Sequence, residues 1–228
     1  MTIAVLLSGC GVYDGSEIHE ATFTLLAIDQ AGAKALCIAP DRDQHHVINH
    51  LTGEEMNEKR NILIEAARIA RGQIKNVEHF SAEEADALII PGGFGAAKNL
   101  NQWALAGPDG KIFPEIKKII TDFVAAKKPV GGLCMGPTVI AKALEGSEIH
   151  ATLTVGTTTQ PSPYDIAAIN SGLQKTGMFT ELKTIDEICV DEHHKIVTAP
   201  CYMMEASISQ VYNNTRLLVE KIIQLIGK

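Results

Sequence analysis

The segment Gly132-Leu133-Cys134-Met135-Gly136 sets a cysteine between two glycines, where a short apolar run gives way to a helical pattern. A thiol on such a strand-to-helix turn is the sulfur counterpart of a nucleophile elbow. Glycines suit that turn because neighbouring backbone comes too close for side chains. The helix that follows aims free N–H groups and the positive end of its dipole at the sulfur, which favours thiolate over thiol. The plain alternative is a buried structural cysteine, common for this residue type.

Two further loops carry groups that could serve it. Pro91-Gly92-Gly93-Phe94-Gly95 ends the apolar run Ala87–Ile90. In a parallel sheet, loops that follow strands gather at the carboxyl edge, where ligands bind. An exposed N–H at Gly93, joined by that of Met135, could hold a developing oxyanion; a simple tight turn explains the same glycines equally well. Asn99, further along this loop, is a pocket candidate. The other loop, Gly11 to Glu20, leaves the first apolar run and enters a helix. Glu17 and Glu20 lie three apart on one side of its first turn, with His19 between them. Complementing the helix dipole is the favoured role for Glu17, and spacing leaves the role of Glu20 open. His19 is a candidate substrate contact.

The elements that must position these loops follow a repeated pattern. Short apolar runs at 3–7, 35–39, 87–90 and 129–133 alternate with amphipathic stretches at 16–31, 61–71, 114–126 and 137–144, the sign of β-α units around a parallel sheet. Ile18, Thr22, Leu25 and Ile28 predict the apolar face of the first helix. Ser81 and Glu84 form a capping box for a short helix. Runs at 188–190 and 195–198 predict a hairpin, and a last helix spans about 205–226. Residues 41–57, with His45, His46 and His50, show no period and read as an excursion, and a long loop with Trp103 and several small residues runs from 91 to 110. With no linker or repeat, residues 1–228 are expected to form one α/β domain.

Composition narrows the partners. A formal charge of −7 offers no broad basic surface, and 5% aromatic residues give no base-stacking platform, so nucleic acid is not expected. No apolar run is long enough to span a bilayer. The five cysteines are odd in number, widely spread and without a CxxC pair, so neither a disulfide framework nor a cysteine-rich zinc site is implied. No metal or cofactor is expected, and a reducing cytoplasm is the expected location.

Four stretches together, LSGCGVYDGSEIHEA at 7–21, VINHLTGE at 47–54, RNILIEAARIARG at 60–72 and PGGFGAAKNL at 91–100, resemble the DJ-1/PfpI branch of the class I glutamine-amidotransferase-like superfamily. Within it the chain is similar to the ES-type proteins named for enhancing lycopene biosynthesis. The resemblance implies a flavodoxin-like three-layer sandwich with a mainly parallel sheet, a nucleophile-elbow cysteine at Cys134 and a homodimer. It also implies a partner carboxyl at Glu20 and oxyanion donors at Gly93 and Met135. The chain departs from the pattern at histidine. A glutaminase needs H-x-E before its last helix; here that slot reads Ala199-Pro200-Cys201, and no H-x-E occurs anywhere. Met135 stands where PfpI-type members often have histidine, Thr154 lies where DJ-1-type members place one, and His150 is out of register. A thiol and a carboxyl without a histidine imply, by resemblance, glutathione-independent conversion of glyoxal or methylglyoxal to the hydroxy acid. A non-enzymatic oxidation sensor is the alternative, and amide hydrolysis a weaker one.

Overall fold

In the computed structural model, which describes residues 1–227, the elements follow in the order β1 (Thr2–Leu6), α1 (Ile18–Gln30), β2 (Lys34–Ala39), α2 (Ile62–Ile69), β3 (Ile74–Asn76), β4 (Ala87–Ile90), α3 (Trp103–Ala106), α4 (Pro114–Ala125), β5 (Val130–Leu133), α5 (Gly136–Leu144), β6 (Thr152–Leu153), α6 (Ile166–Lys175), β7 (Phe179–Thr180), β8 (Cys189–Asp191), β9 (Ile196–Ala199) and α7 (Ile208–Ile226). Seven strands form one sheet in the order β3-β2-β1-β4-β5-β9-β8, while β6 and β7 pair separately. Every pairing in the large sheet is parallel except β8 with β9. Without the edge strands β3 and β8, the order is the flavodoxin-like one, with its switch point between β1 and β4.

Successive residues of a strand face opposite sides, and β5 shows which helices lie where. A side chain at Gly131 would strike Leu218 of α7, and one at Gly132 would strike Ile140 of α5. Helices therefore cover both faces, and the central strands β1, β4, β5 and β9 are almost wholly buried. Strands buried on both sides read as unbroken apolar runs, which is why 87–90 and 129–133 were legible as strands.

The first helix buries only part of the face the pattern predicts: Ile28 is buried and Leu25 packs against the core. Ile18 is exposed and so is Thr22, whereas Glu20, Ala21, Thr24, Ala27 and Ile28 are buried. Small residues let α1 approach its neighbour α7 and the sheet closely, and a face built of Ala and Thr carries little hydrophobic contrast. The Ser81–Glu84 capping box is present but closes a single 3₁₀ turn, Ala82–Glu84. No element between 145 and 187 is legible in the pattern, yet β6, α6 and β7 lie there. The 91–110 loop contains a π-helical turn, Ala96–Leu100, followed by α3.

The burial map makes one expectation simple to check. Leu88 in β4 is fully buried and Leu51 in the 41–57 excursion is 97% exposed. Leu88→Ala should cost about 2–5 kcal/mol in urea unfolding, and Leu51→Ala only about 0.5 kcal/mol or less.

Candidate active site

Cys134 follows β5 directly and adopts φ 54°, a left-handed conformation that few non-glycine residues take. Its N–H still donates to Ala199 O of the neighbouring strand at 2.9 Å, so the chain turns only after the ladder is complete. The turn delivers the side chain toward the end of β4, where it meets Gly92. A Cβ added to Gly92 would lie 2.5 Å from Cys134 Cβ and 2.7 Å from Glu20 Oε2, so no residue with a side chain fits between thiol and carboxyl. Gly93, at φ 92°, is packed as tightly against the backbone of Gly15 and Glu17.

Glu20 enters from α1 and is fully buried. Its Oε2 accepts the Gly92 N–H at 2.9 Å and its Oε1 accepts the Tyr202 N–H at 3.3 Å. The Cys134 thiol hydrogen-bonds the same carboxyl. Burial is the main cause that raises the Glu20 pKa, the nearby Glu17 charge adds to it, and the three hydrogen bonds oppose both, leaving it at about 8. At neutral pH Glu20 is therefore mostly the neutral acid.

The same surroundings act on sulfur. Burial pushes the Cys134 thiol well up, and the Glu20 charge adds to that, against a hydrogen bond from the Gly93 N–H. The thiolate expected from the helix N-terminus is thus not the resting form. Desolvation outweighs the dipole here because Cys134 is only 5% exposed. None of the groups that act most strongly on this thiol is a histidine.

The other residues read from the sequence divide into two groups. Glu17 caps α1, its Oε2 accepting the Glu20 N–H at 2.7 Å. His19 Nδ1 lies 2.8 Å from the Tyr202 hydroxyl and 3.9 Å from Glu17 Oε1. Glu17 and His19 border a cavity of about 490 Å³ together with Val12, Tyr13, Tyr164 and Tyr202. The Gly93 N–H faces Cys134 sulfur, and Met135 is buried as the residue that opens α5. Asn99 belongs elsewhere. Its amide donates to Ser8 O and Asp14 O, and its carbonyl accepts the His45 N–H, so all its side-chain polar atoms bind backbone. It ties the first loop to the 41–57 excursion and has no part in the thiol–carboxyl contact. A larger cavity of about 610 Å³ under that excursion, lined by His45 and His46, contains none of the groups around Cys134. Among the described residues no cluster of three or more His, Cys, Asp or Glu could hold a metal ion.

Two residues of the site, Tyr202 and Tyr164, are not named in the sequence pattern, and a third, Cys201, enters there only as the end of the slot where a glutaminase has H-x-E. Tyr202 clamps Glu20 through its backbone and His19 through its hydroxyl. Cys201, fully buried beside Thr215, is close enough for its charge to raise the Cys134 pKa. Tyr164 has its hydroxyl pushed up to about 12 by burial and then by Cys134 and Glu20, so it remains a neutral donor. Cys201 and Tyr202 could have been found by following the carboxyl-edge rule to β9; nothing in the pattern points to Tyr164.

Residues 10–199 match the model of the DJ-1/PfpI family. The chain belongs to that family. It is 41% identical over 230 residues to the rat (Rattus norvegicus) protein named ES1 protein homolog, mitochondrial, covering 99% of this chain and 84% of the relative. It is 40% identical, with the same coverage, to the human (Homo sapiens) glutamine amidotransferase-like class 1 domain-containing protein 3, mitochondrial. Among solved structures, an isoprenoid biosynthesis protein with an amidotransferase-like domain from Ehrlichia chaffeensis superposes with a TM-score of 0.88 at 32% identity, covering 98% of this chain and 99% of that one. Both curated relatives are named mitochondrial, which overturns the cytoplasmic location expected from the sequence. No helix among the described residues is long and apolar enough to cross a membrane.

The raised Glu20 pKa has a consequence for stability. An acid with a folded-state pKa of about 8 against an ordinary 4.5 favours the folded chain most below pH 4.5 and loses that advantage as pH rises to about 8. Glu20→Gln removes the ionisation, so its urea-unfolding stability should vary less between pH 5 and pH 8 than that of the wild type. At pH 5 the variant should be less stable by about 1–3 kcal/mol, because a Gln NH₂ cannot accept one of the two backbone N–H groups.

Proposed function

We propose that the protein is a glutathione-independent glyoxalase-like enzyme that converts glyoxal or methylglyoxal to the corresponding hydroxy acid through Cys134. The observation that carries this reading is the buried juxtaposition of the Cys134 thiol and Glu20 across Gly92, the carboxyl having a pKa raised to about 8. A thiol adds readily to an aldehyde, and a carboxyl that titrates near neutrality can move protons between carbons.

In the first step Cys134 sulfur bonds to one aldehyde carbon. Glu20, in its ionised form, takes the thiol proton and passes it to the carbonyl oxygen, which yields a hemithioacetal and leaves Glu20 as the carboxylate again. The Gly93 N–H, released from the sulfur it faces in the resting state, and the Met135 N–H stabilise the oxygen as it gains charge. The Glu20 carboxylate then removes the proton from the hemithioacetal carbon. The electron pair passes through an enediol, and the proton returns to the adjacent carbon, leaving a thioester on Cys134. Water adds to the thioester, releasing glycolate or lactate and restoring the thiol. One water is consumed and no external oxidant is required. Tyr164 and His19 border the pocket that adjoins Glu17 and Tyr202, from which a substrate would reach the thiol, and Tyr164 keeps its proton to donate. The reading extends to a small aldehyde substrate and, from the family resemblance, to a homodimer.

Amide hydrolysis is disfavoured by the lack of a histidine base at Cys134, although relatives carry amidotransferase-like names. An oxidation sensor is the serious second reading, supported by the same acid: a neutral carboxyl beside sulfur can donate a hydrogen bond to an oxidised form. Mild peroxide with intact mass, run beside a turnover assay, separates the two. Selective oxidation of Cys134 with negligible turnover favours the sensor.

Cys134→Ser and Glu20→Gln should each lower glyoxal turnover by about 100-fold or more. Wild-type levels in both would rule out the mechanism. Because Glu20 acts as base only when ionised, kcat should rise with pH and level off above about 8. The Glu17 charge helps to raise that pKa, so Glu17→Gln should move the rising limb to lower pH. Gln at 17 retains an oxygen for the Glu20 N–H.

A further inference from the structure

Cys201 is a second thiol at the carboxyl edge of the sheet that aldehyde chemistry does not use. It is fully buried, and it is positioned by backbone rather than by packing alone: its N–H donates to Asn214 Oδ1 at 2.9 Å and its φ is 46°. Left-handed backbone is uncommon for a residue with a side chain, and the two cysteines that adopt it here, Cys134 and Cys201, stand at the ends of neighbouring strands.

The register fixes their relation. Leu133 pairs with Ala199 across β5 and β9, and the Cys134 N–H donates to Ala199 O. Cys201 is one residue further along its chain than the position level with Cys134. Both cysteines lie just past the ends of neighbouring parallel strands, whose axes are about 4.8 Å apart, and a disulfide bridges Cα atoms about 4.4–6.8 Å apart. Both cysteines also lie near Glu20: Cys134 sits against it across Gly92, and Tyr202, the residue after Cys201, donates its N–H to the carboxyl, while the Cys201 sulfur itself lies 3.6 Å from the Thr215 hydroxyl. The charge on one thiol disfavours charge on the other, which places them in one electrostatic environment.

We propose that Cys201 is the resolving partner of Cys134, so that oxidation by hydrogen peroxide ends in an intramolecular Cys134–Cys201 disulfide. Peroxide is the oxidant. In the first step the Cys134 sulfur bonds to one peroxide oxygen as the O–O bond breaks. The other oxygen leaves as water, and Cys134 becomes a sulfenic acid, having lost two electrons. In the second step the Cys201 sulfur attacks that of Cys134, the S–O bond breaks, and the hydroxyl leaves as water with the Cys201 proton. Glu20, hydrogen-bonded at Cys134, relays the proton in each step. The disulfide diverts the sulfenic acid before a second peroxide converts it to the sulfinic acid, which ordinary thiols do not reverse. The cross-link would close Cys134 to aldehydes until a small dithiol such as dithiothreitol reduces it. This inference rests on Cys134 being the reactive thiol, but not on aldehyde turnover.

The test uses the full chain, treated with several equivalents of peroxide, blocked with iodoacetamide and mapped by mass without reduction. The expected product is lighter than the untreated protein by two hydrogen atoms, contains a peptide joining Cys134 to Cys201, and reverts with dithiothreitol. Cys201→Ala should instead gain two oxygen atoms at Cys134, in a form that dithiothreitol does not reverse. Wild-type protein that accumulates the sulfinic acid while Cys201 stays free to alkylation would overturn the proposal, as would a disulfide to Cys10, Cys37 or Cys189. Glyoxal turnover of untreated protein, assayed in parallel, reports separately on the aldehyde reading: a disulfide without turnover sinks that reading alone, and turnover without a disulfide sinks this one alone.

Discussion

A carboxyl group sealed under the end of a sheet, in contact with a thiol, is the constraint on which the rest of the site depends. A buried acid is tolerable only if it is neutral or well bonded. Here the backbone of two loops supplies the bonds, Gly92 on one oxygen and Tyr202 on the other. That arrangement fixes the sequence around it. Gly92 must lack a side chain because thiol and carboxyl both occupy the space where one would go. The first helix must lie close, and it does so through Ala21, Thr24 and Ala27. Cys134 must accept a left-handed backbone to bring its sulfur across from β5.

The electrostatics follow from the same burial. With Glu17 nearby and no histidine among the strongest influences on the thiol, a second negative charge is strongly disfavoured, so the thiol and the acid do not both ionise and share at most one negative charge. A hydrolase of amides would need a base able to carry positive charge beside the sulfur. A thiol coupled to a neutral acid instead suits reactions in which a proton moves a short way and the net charge of the pocket stays constant. Addition to an aldehyde and reaction with peroxide both meet that condition.

Much of the site was legible in the sequence because it is written in glycine and in strand-to-loop transitions. Cys134, Gly93 and the loop that carries Glu20 all follow apolar runs that could only be buried parallel strands. The role of Glu20 was not legible from spacing, since hydrophobic periodicity put the buried face of the first helix on Ile18, Thr22, Leu25 and Ile28, and the two of these nearest Glu20 are exposed. A face of small residues that buries one acid has no strong amphipathic signature. Asn99 misled for the opposite reason: a polar residue in a carboxyl-edge loop looks like a ligand contact, yet it spends every polar atom on backbone. Tyr164 precedes α6, in a region where β6 and β7 are two residues each, too short to show a period.

The most direct test of this account is the protonation state of Glu20 itself. Infrared difference spectra between wild type and Glu20→Gln, recorded from pH 6 to pH 10, would isolate the stretch of its neutral carboxyl group. That band should be present at pH 7 and fade as the pH passes about 8. A carboxylate signal alone at pH 7, with no neutral carboxyl band, would contradict the coupled thiol and acid on which the proposed chemistry rests.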